Sequence, residues 1–182
     1  IVVEEDEQPL SADLEKITRL RPAFDKEGTV TAANSSSISD GAAALVMMRE
    51  STAKKRGITP LALIHGHSSF AHSPDWFTTA PIGAIKKLLD KVQWDIHDVD
   101  LFEINEAFAT VTMAAMKDLE LPVEKVNIHG GACALGHPVG ASGTRILVTL
   151  ISALKKYNKK RGVASLCIGG GEATAMAVEV LS

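Results

Sequence analysis

Apolar residues follow two alternating patterns along most of this chain, one typical of strands and the other typical of helices. Continuous apolar runs predict buried strands at residues 42–48, 61–64, 99–104 and 163–168. Helical spacing predicts one helix that begins at Thr79, with Pro81 in its first turn, and a second that begins near Ala107. A third helix is predicted over residues 140–157. Its apolar residues lie almost all round at 146–151, so we expect it to be buried on every side.

Two further patterns complete the fold prediction. Residues 52–56 form a polar stretch that predicts a short helix ending at Gly57. The strand at 163–168 runs into three glycines, and a second β-rich run at 173–181 predicts a hairpin. Alternating strands and helices that end in a hairpin are typical of an α/β domain. We therefore expect a mixed five-stranded sheet with helices on both faces.

Residues 1–38 differ from the rest of the chain. They begin with acidic residues and contain Pro9, Pro22 and a polar run at 34–37. Such a segment is typical of an arm or loop that lies on another part of the protein.

The charge and the cysteine content of the chain limit its possible partners and its compartment. The formal net charge of −3 leaves no electrostatic footprint for nucleic acid or an anionic membrane surface, so we expect neither as a partner. No apolar run approaches the length that a bilayer requires. Cys133 and Cys167 are too few for a disulfide framework and favour a reducing compartment.

Cys167 is the first candidate for chemistry, because it ends an apolar strand and precedes three glycines. A thiol in that place can face a cleft, and the glycine turn can leave backbone N–H groups free for a ligand. The alternative is a small buried apolar residue, which is what most free cysteines are.

A glycine-rich segment around His137 is the second candidate. Five glycines lie within residues 130–143 and allow tight turns and close backbone approach. A histidine there can polarise an oxyanion or help to ionise a thiol, or it can simply hold its own loop. The spacing fits neither a P-loop nor a dinucleotide fingerprint. His129, Cys133 and His137 recur every four residues, but the intervening glycines argue against a zinc site, so we expect no metal.

Asn105 and Glu106 stand where a strand meets a helix and form the third candidate. Asparagine at a helix start is ordinarily a cap. Its amide can also hold a water or an oxyanion at the end of a strand, where ligands bind in α/β folds. Glu106 could serve the first turn of the helix, orient its neighbours, or do both.

The order of these motifs resembles that of thiolases, in particular the acetyl-CoA acetyltransferase type. The shared series is Asn-Glu-Ala-Phe-Ala at 105–109, Gly-His-Pro-Val-Gly-Ala-Ser-Gly at 136–143 and Cys-Ile-Gly-Gly-Gly at 167–171. The similarity extends upstream to residues 21–24, 28–36 and 40–44, so it covers essentially the whole chain.

The resemblance implies a catalytic role for four residues. Cys167 would be the acid/base cysteine that removes a proton from the α-carbon of the second acyl-CoA. His137 would activate the family's nucleophilic cysteine and donate to the thioester oxygen of the enolate. Asn105 would hold a water that completes that oxyanion hole, and the N–H of Gly169 would stabilise the other tetrahedral intermediate.

The resemblance also implies the ligands. The substrates would be acetyl-CoA, acetoacetyl-CoA and CoA, joined or cleaved by reversible Claisen chemistry, with no further cofactor. Ser36 and Phe24 match positions near CoA, while Ala107 and Phe108 match positions along the pantetheine path. The stretch Phe-Thr-Thr-Ala-Pro at 77–81 stands where many thiolases have Met-Gly-x-Gly-Pro, which leaves chain-length preference open.

The family's domain plan divides the chain into three parts. Residues 1–38 would be the tail of the loop domain that covers CoA, and we expect this tail to be flexible and largely disordered without its partners. Residues 39–59 would be the last strand and helix of an N-terminal domain, and 60–182 would be the thiolase C-terminal domain. The nucleophilic cysteine belongs to the N-terminal half, so we expect this chain to be inert alone. We also expect its first strand to be displaced or unpaired, and its bare apolar face to favour self-association.

The family further implies a homo-oligomer, a dimer or tetramer. It also implies a cytoplasmic location in bacteria, or a mitochondrial or peroxisomal one in eukaryotes. Two alternatives remain, a related ketoacyl-synthase-like enzyme and a non-catalytic module that binds CoA or lipid. The Asn105 motif speaks against the first of these.

Overall fold

A computed structural model describes residues 1, 2 and 4–181 of the chain. The α-helices are α1 (Glu7–Ser11), α2 (Glu50–Lys55), α3 (Ala80–Val92), α4 (Ala109–Asp118), α5 (Ala132–Leu135) and α6 (Ser142–Lys156). The strands are β1 (Ala62–Ala71), β2 (Leu101–Ile104), β3 (Arg161–Ile168) and β4 (Glu172–Val180). Short 3₁₀ helices lie at Ile17–Arg19, Ala32–Asn34, Pro74–Thr79, Ile96–Asp98 and Val123–Lys125.

The four strands form one mixed sheet in the order β1-β4-β3-β2. The strands β2 and β3 are parallel, whereas β4 pairs antiparallel with both β1 and β3. The mixed sheet and the terminal hairpin are therefore confirmed. Gly170 and Gly171 have positive φ of 111° and 93° in the hairpin turn, which glycine adopts without strain.

The prediction of a five-stranded sheet is wrong, because the described residues form four strands and the run at 42–48 is not one of them. The run has no strand geometry, and Val46 and Met47 are 89% and 67% exposed. An extended apolar run becomes a buried strand only where a neighbouring strand takes its N–H and C=O groups. None of the four described strands lies beside it, so the run is unpaired, as we expected for a strand without its neighbours.

Helices cover both faces of the sheet, as predicted. Successive side chains of β3 point to opposite faces, so neighbouring residues of this strand belong to different cores. Val163 belongs to the core under α3 and α4, together with Ile85, Leu88 and Val111. The next residue, Ala164, belongs to the core under α6, which contains Ile146, Leu150 and Leu154. The absence of a side chain at Gly162 lets α6 approach, since a Cβ there would meet the Leu150 side chain at 2.8 Å.

Helix α6 is buried on one face only, so the prediction of burial on every side is wrong. Ile146 and Leu150 are at most 1% exposed, whereas Val148 on the other side is 38% exposed. The apolar run at 146–151 is real, but no second layer among the described residues covers its outer side.

Strand β1 extends well beyond the apolar run at 61–64 that predicted it. Its later part carries His65, His67 and Ser69, which are exposed, so an apolar-run criterion cannot detect it. The pairing with β4 holds this part in place down to Ala71.

Helices α2 and α3 begin and end close to their predicted bounds. Helix α2 ends at Lys55, just before Gly57, whose φ of 65° stops it. Helix α3 carries Pro81 in its first turn, but the Thr79 side chain makes no capping hydrogen bond.

The segment at 35–38 lies against the end of β2 and the loop before α6. Ser35 forms an antiparallel bridge with Phe108, and Ile38 forms a parallel bridge with His137. The N–H of Ser36 donates to the carbonyl of Ala107 at 3.1 Å. This part of the arm therefore lies on the rest of the chain, and it keeps Phe108 extended, so that α4 begins only at Ala109. No helix among the described residues is long and apolar enough to cross a membrane.

Candidate active site

Asn105 follows β2 at the carboxyl edge of the sheet and is 1% exposed. Its N–H donates to the carbonyl of Ser165 at 2.9 Å, which extends the parallel ladder by one residue. Helix α4 starts four residues later with Phe108 as its N-cap, so the capping interpretation of Asn105 is wrong. The side-chain Oδ1 of Asn105 is buried and has no hydrogen-bond partner among the described residues. A buried acceptor without a donor costs about 1–3 kcal/mol, so this oxygen is a favourable place for a water or a ligand donor to bind.

His137 lies beside Asn105, as the motif order predicts. Its Nε2 is 3.4 Å from Asn105 Nδ2, and its Nδ1 is 2.6 Å from the Oγ of Ser142, the first residue of α6. The backbone N–H of His137 donates to the carbonyl of Ser37 at 2.9 Å. The ring is therefore held from both of its nitrogens and from its backbone.

The surroundings of His137 favour its neutral form. Burial, and secondly the positive charge of Arg145, lowers the pKa of His137 below its usual value. Arg145 lies on α6 and forms an ion pair with Glu103 of β2, with 3.5 Å between Nη1 and Oε2. A neutral imidazole retains one lone pair, so it can accept a proton from a thiol.

Asn127 brackets the end of β2 and is a residue that sequence reasoning missed. Its Oδ1 accepts from the N–H of Ile104, and its Nδ2 donates to the carbonyl of the same residue, both at 2.8 Å. The Nδ2 also donates to Glu106 Oε1 at 2.9 Å. Asn127 has a φ of 47°, which asparagine tolerates better than most residues. The bracket fixes the strand end from which Asn105 projects.

Glu106 anchors the glycine-rich loop to the same strand end. Its Oε2 accepts from the N–H of Cys133 at 3.1 Å, while Oε1 accepts from Asn127. A Cβ at Gly131 would overlap the Glu106 carboxylate, so this glycine is required by close approach. Of the two roles left open for Glu106, the structure shows contacts that orient its neighbours.

The residues of the four-residue repeat have separate partners. His129 Nε2 lies 3.3 Å from the hydroxyl of Tyr157, and Cys133 Sγ lies 3.8 Å from the carbonyl of Glu106. Burial, and secondly the charge of Glu106, raises the pKa of Cys133 to about 11. This thiol is therefore protonated near neutrality and is a poor nucleophile.

Cys167 lies near the carboxyl end of β3, two residues beyond Ser165, the partner of Ile104 in the parallel ladder. Parallel strands end at the same edge of a sheet, so Cys167 and Asn105 share this edge. The thiol is 9% exposed and belongs to the core under α3 and α4. Burial raises its pKa above the usual value. Cys167 is therefore a buried core residue, as in the second interpretation, and it also lies at the edge of the sheet where a ligand could reach it, as in the first.

Gly169 and Gly171 have different surroundings in the turn after Cys167. A Cβ at Gly169 would meet nothing within 4 Å, so its backbone borders open space. A Cβ at Gly171 would overlap the carbonyl of His72, whose N–H donates to Gly171 at 2.9 Å. Close packing thus requires glycine at 171 but not at 169.

The four positions matched to CoA contacts form one patch beside the strand end. Ser36 Oγ donates to the carbonyl of Ala107 at 2.9 Å. Phe24 meets Phe108 edge to face, with ring centroids 5.8 Å apart, and Phe77 lies 6.4 Å from Phe108. Phe24 is 78% exposed, so the patch offers an aromatic surface to a ligand.

Two open grooves are lined by residues that adjoin the candidate residues in sequence. One has a volume of about 400 Å³ and is lined by residues 39–43 and 138–141, directly after His137. The other has a volume of about 550 Å³ and is lined by residues 69–71, Lys87, Ile168, Glu172 and Ala173, directly after Cys167. Neither groove is lined by Asn105, His137 or Cys167. The candidate site is therefore identified from the contacts of these side chains and not from a groove.

Family models match nearly the whole chain. A model described as the thiolase C-terminal domain matches residues 58–180, and one described as the thiolase N-terminal domain matches residues 1–51. A probable acetyl-CoA acyltransferase of Staphylococcus aureus is 50% identical over 179 residues, which are 98% of this chain and 45% of that protein.

Solved structures give the same result. The crystal structure of the Bacillus anthracis acetyl-CoA acetyltransferase matches all of this chain, and 46% of its own length, with a TM-score of 0.94 and 47% identity. Human mitochondrial 3-ketoacyl-CoA thiolase, solved in complex with CoA, matches 94% of this chain and 43% of its own length, with a TM-score of 0.87 and 39% identity. The chain therefore spans less than half the length of these relatives.

Proposed function

This chain belongs to the thiolase family, and we propose that it supplies the acid/base half of an acetyl-CoA C-acetyltransferase. The proposed reaction is the reversible condensation of two acetyl-CoA molecules to acetoacetyl-CoA and free CoA. In this proposal the acylated cysteine lies in a part equivalent to the N-terminal remainder of the relatives, outside the 182 residues of this sequence.

The observation that carries the proposal is the pairing of Asn105 with His137 at the carboxyl edge of the sheet. The two side chains lie 3.4 Å apart, and the Oδ1 of Asn105 is a buried acceptor that lacks a donor. A water bound to Oδ1 would donate its second hydrogen outward, next to His137 Nε2. Two donors directed at one point form an oxyanion hole.

Cys167 is the proposed base for the enolate step. The C–H bond at the α-carbon of acetyl-CoA breaks, the proton passes to Sγ, and the electron pair moves to the thioester oxygen. The oxygen charge is then stabilised by His137 and by the water on Asn105. Burial raises the pKa of Cys167, so the thiol can first give its proton to the CoA thiolate that leaves when the nucleophilic cysteine is acylated, and the thiolate that remains is then a strong base for the α-proton.

The condensation completes the balance of atoms. The enolate carbon attacks the acetyl group held on the nucleophilic cysteine, a C–C bond forms, and the C–S bond breaks. The cysteine leaves as a thiolate and takes back the proton that His137 accepted from it, while Cys167 keeps the α-proton and returns to the thiol. The N–H of Gly169 is proposed to stabilise the tetrahedral intermediate, and its open surroundings are consistent with that contact.

The patch formed by Phe24, Phe108, Ser36 and Ala107 is the proposed CoA contact. Its exposed aromatic ring offers an apolar surface next to the strand end. The structures of two related thiolases contain CoA, which favours CoA thioesters as the ligand class for this chain.

The proposal divides the chain into a CoA-covering tail at 1–38, the end of an N-terminal domain at 39–59 and a C-terminal domain from residue 60. The partner half would pair with the run at 42–48 and cover the outer side of α6, which includes Val148. Without that partner we expect the chain to be inactive and to self-associate, while the complete enzyme would be a homo-oligomer.

Mixing the chain with an upstream half tests the proposal. We expect CoA-dependent cleavage of acetoacetyl-CoA by the mixture of this chain and the N-terminal part of the Staphylococcus relative, and no cleavage by either part alone. Cys167→Ala should abolish the activity of the mixture, whereas Cys133→Ala serves as the matched control and should retain it. Turnover by the 182 residues alone would show that the assignment of roles is wrong.

A further inference from the structure

We propose that Ser142 is a positioning residue that keeps the proton of neutral His137 on Nδ1. The inference rests on the proposed function, in which His137 Nε2 must begin the cycle as a proton acceptor. Ser142 is the first residue of α6 and is completely buried. A hydroxyl without solvent contact has to place its single hydrogen on a protein acceptor.

Two acceptors lie within reach of the Ser142 hydroxyl. The carbonyl of Pro138 is 3.1 Å from Oγ, and His137 Nδ1 is 2.6 Å from it. If the hydroxyl donates to Pro138, its lone pairs face Nδ1, and the ring must carry a hydrogen there. If it donates to Nδ1, the ring hydrogen moves to Nε2.

The contact at Nε2 selects the first arrangement. Asn105 Nδ2 lies 3.4 Å from Nε2, and with the amide in this orientation the contact is a hydrogen bond only when Nε2 of the neutral ring carries the lone pair. Nε2 therefore carries the lone pair, and the hydrogen of neutral His137 is on Nδ1, where Ser142 accepts it. The chain Nδ1–H to Oγ, then Oγ–H to the Pro138 carbonyl, leaves every hydrogen with an acceptor.

In this arrangement His137 can gain or lose a proton at only one atom of its ring. With Nδ1–H occupied by Ser142, a proton can enter and leave His137 only at Nε2, which faces Asn105. The same nitrogen first accepts a proton from the nucleophilic thiol and then, when protonated, donates to a substrate oxygen. Ser142 contacts neither substrate nor reacting atom in this scheme, so its contribution acts through His137.

The chain offers a matched control for Ser142. Ser68 lies on β1, is 6% exposed, and donates its hydroxyl to the carbonyl of Ala84 at 2.6 Å. Its removal deletes a comparable buried hydroxyl bonded to a carbonyl without any contact to His137. A purely structural effect of losing such a bond should appear equally in Ser68→Ala.

The test is ¹⁵N NMR of the histidine rings in the chain at pH 8, with His137 identified by the signals lost in His137→Gln. We expect the Nδ1–H tautomer in the parent and in Ser68→Ala, and a shift toward Nε2–H in Ser142→Ala. An Nε2–H tautomer in the parent would overturn the inference, even if Ser142→Ala failed to fold. An unchanged tautomer in folded Ser142→Ala would overturn it as well.

A kinetic measurement tests whether the tautomer of His137 affects catalysis. In the mixture with the upstream half, Ser142→Ala should lower kcat by roughly tenfold with KM for CoA unchanged, which is less than the roughly 10²–10⁴-fold contribution of an acid–base group itself because Ser142 acts only through His137. Ser68→Ala should leave both constants unchanged. The NMR measurement needs no acyl-CoA, so an inactive mixture with the expected tautomers would refute the proposed function and leave the role of Ser142 intact. A fall in both kcat and affinity by equal factors in the two variants would contradict the positioning role.

Discussion

Replacing Gly131 by alanine should destabilise the chain through Glu106. Gly131 has φ −131° and ψ −167°, a backbone geometry that alanine adopts without strain. The added Cβ would instead overlap the Glu106 carboxylate. The side chain must move, and it then loses its hydrogen bonds from Cys133 N–H and from Asn127 Nδ2.

The size of the effect follows from those two bonds. A hydrogen bond to a charged group contributes about 1.5–3 kcal/mol, and a donor left without a partner adds to the loss. Glu106 is only half-buried, so water replaces part of what is lost. We therefore expect Gly131→Ala to lower the free energy of unfolding by about 2–4 kcal/mol.

A double-mutant cycle with urea unfolding at pH 7, followed by circular dichroism, measures the coupling between the two positions. When Glu106→Ala is already present, the overlap is gone, and Gly131→Ala should be neutral or stabilising by up to about 1 kcal/mol. Gly143→Ala is the matched control, because open space surrounds that position in α6 and alanine favours a helix. An equal loss for Gly131→Ala with and without Glu106 would refute the reasoning.

Three further predictions concern pH, thiol reactivity and CoA. Burial raises the pKa of Glu103 to about 7, partly offset by Arg145. The folded chain then binds more protons than the unfolded chain above the ordinary carboxyl pKa, so its stability falls as pH rises to 7. The free energy of unfolding of Glu103→Gln, relative to that of the parent, should increase by about 3 kcal/mol from pH 4.5 to pH 8 in urea unfolding. A difference between the two proteins that does not change with pH would contradict this. Glu106→Gln should lower the pKa of Cys133 and speed its alkylation at pH 8.5, measured by mass spectrometry; an unchanged rate would show that the carboxylate charge does not matter. Phe24→Ala should weaken CoA binding to the mixed halves about tenfold in calorimetry, whereas loss of exposed Tyr157 should not, and equal affinities would exclude the patch.

Most of the fold follows from local patterns. The β3–β4 hairpin is readable from two β-rich runs around three glycines, and α3 from its apolar spacing. A shared site of Asn105 and His137 was expected from the thiolase resemblance, while the rule that ligand sites lie at strand ends pointed to Asn105 alone. Such predictions succeed where the hydrophobic period of a single segment is enough to identify the helix or strand.

The errors have a different physical origin. The apolar run at 42–48 and the outer side of α6 have the composition of buried structure, yet burial depends on a neighbouring layer that the described residues do not provide. A sequence pattern reports the preference of a segment and not the presence of its partner.

The residues that position the site were also beyond local reasoning. Asn127 bonds to Ile104, 23 residues away, and nothing in its immediate sequence indicates that contact. Ser142 is recognisable as part of the glycine–histidine motif, but its bond to Nδ1 depends on how the loop turns into α6. Such contacts are tertiary, and the same short polar residues are common in ordinary turns.

Exchange of deuterium from solvent into the methyl group of acetyl-CoA tests most directly the claim that this chain carries the enolate-forming base. The exchange requires removal and return of the α-proton but no C–C bond, and NMR can follow it in the chain mixed with its upstream half. We predict exchange with the parent and with Cys133→Ala, and its loss with Cys167→Ala. Exchange at the parental rate in Cys167→Ala would contradict the central claim.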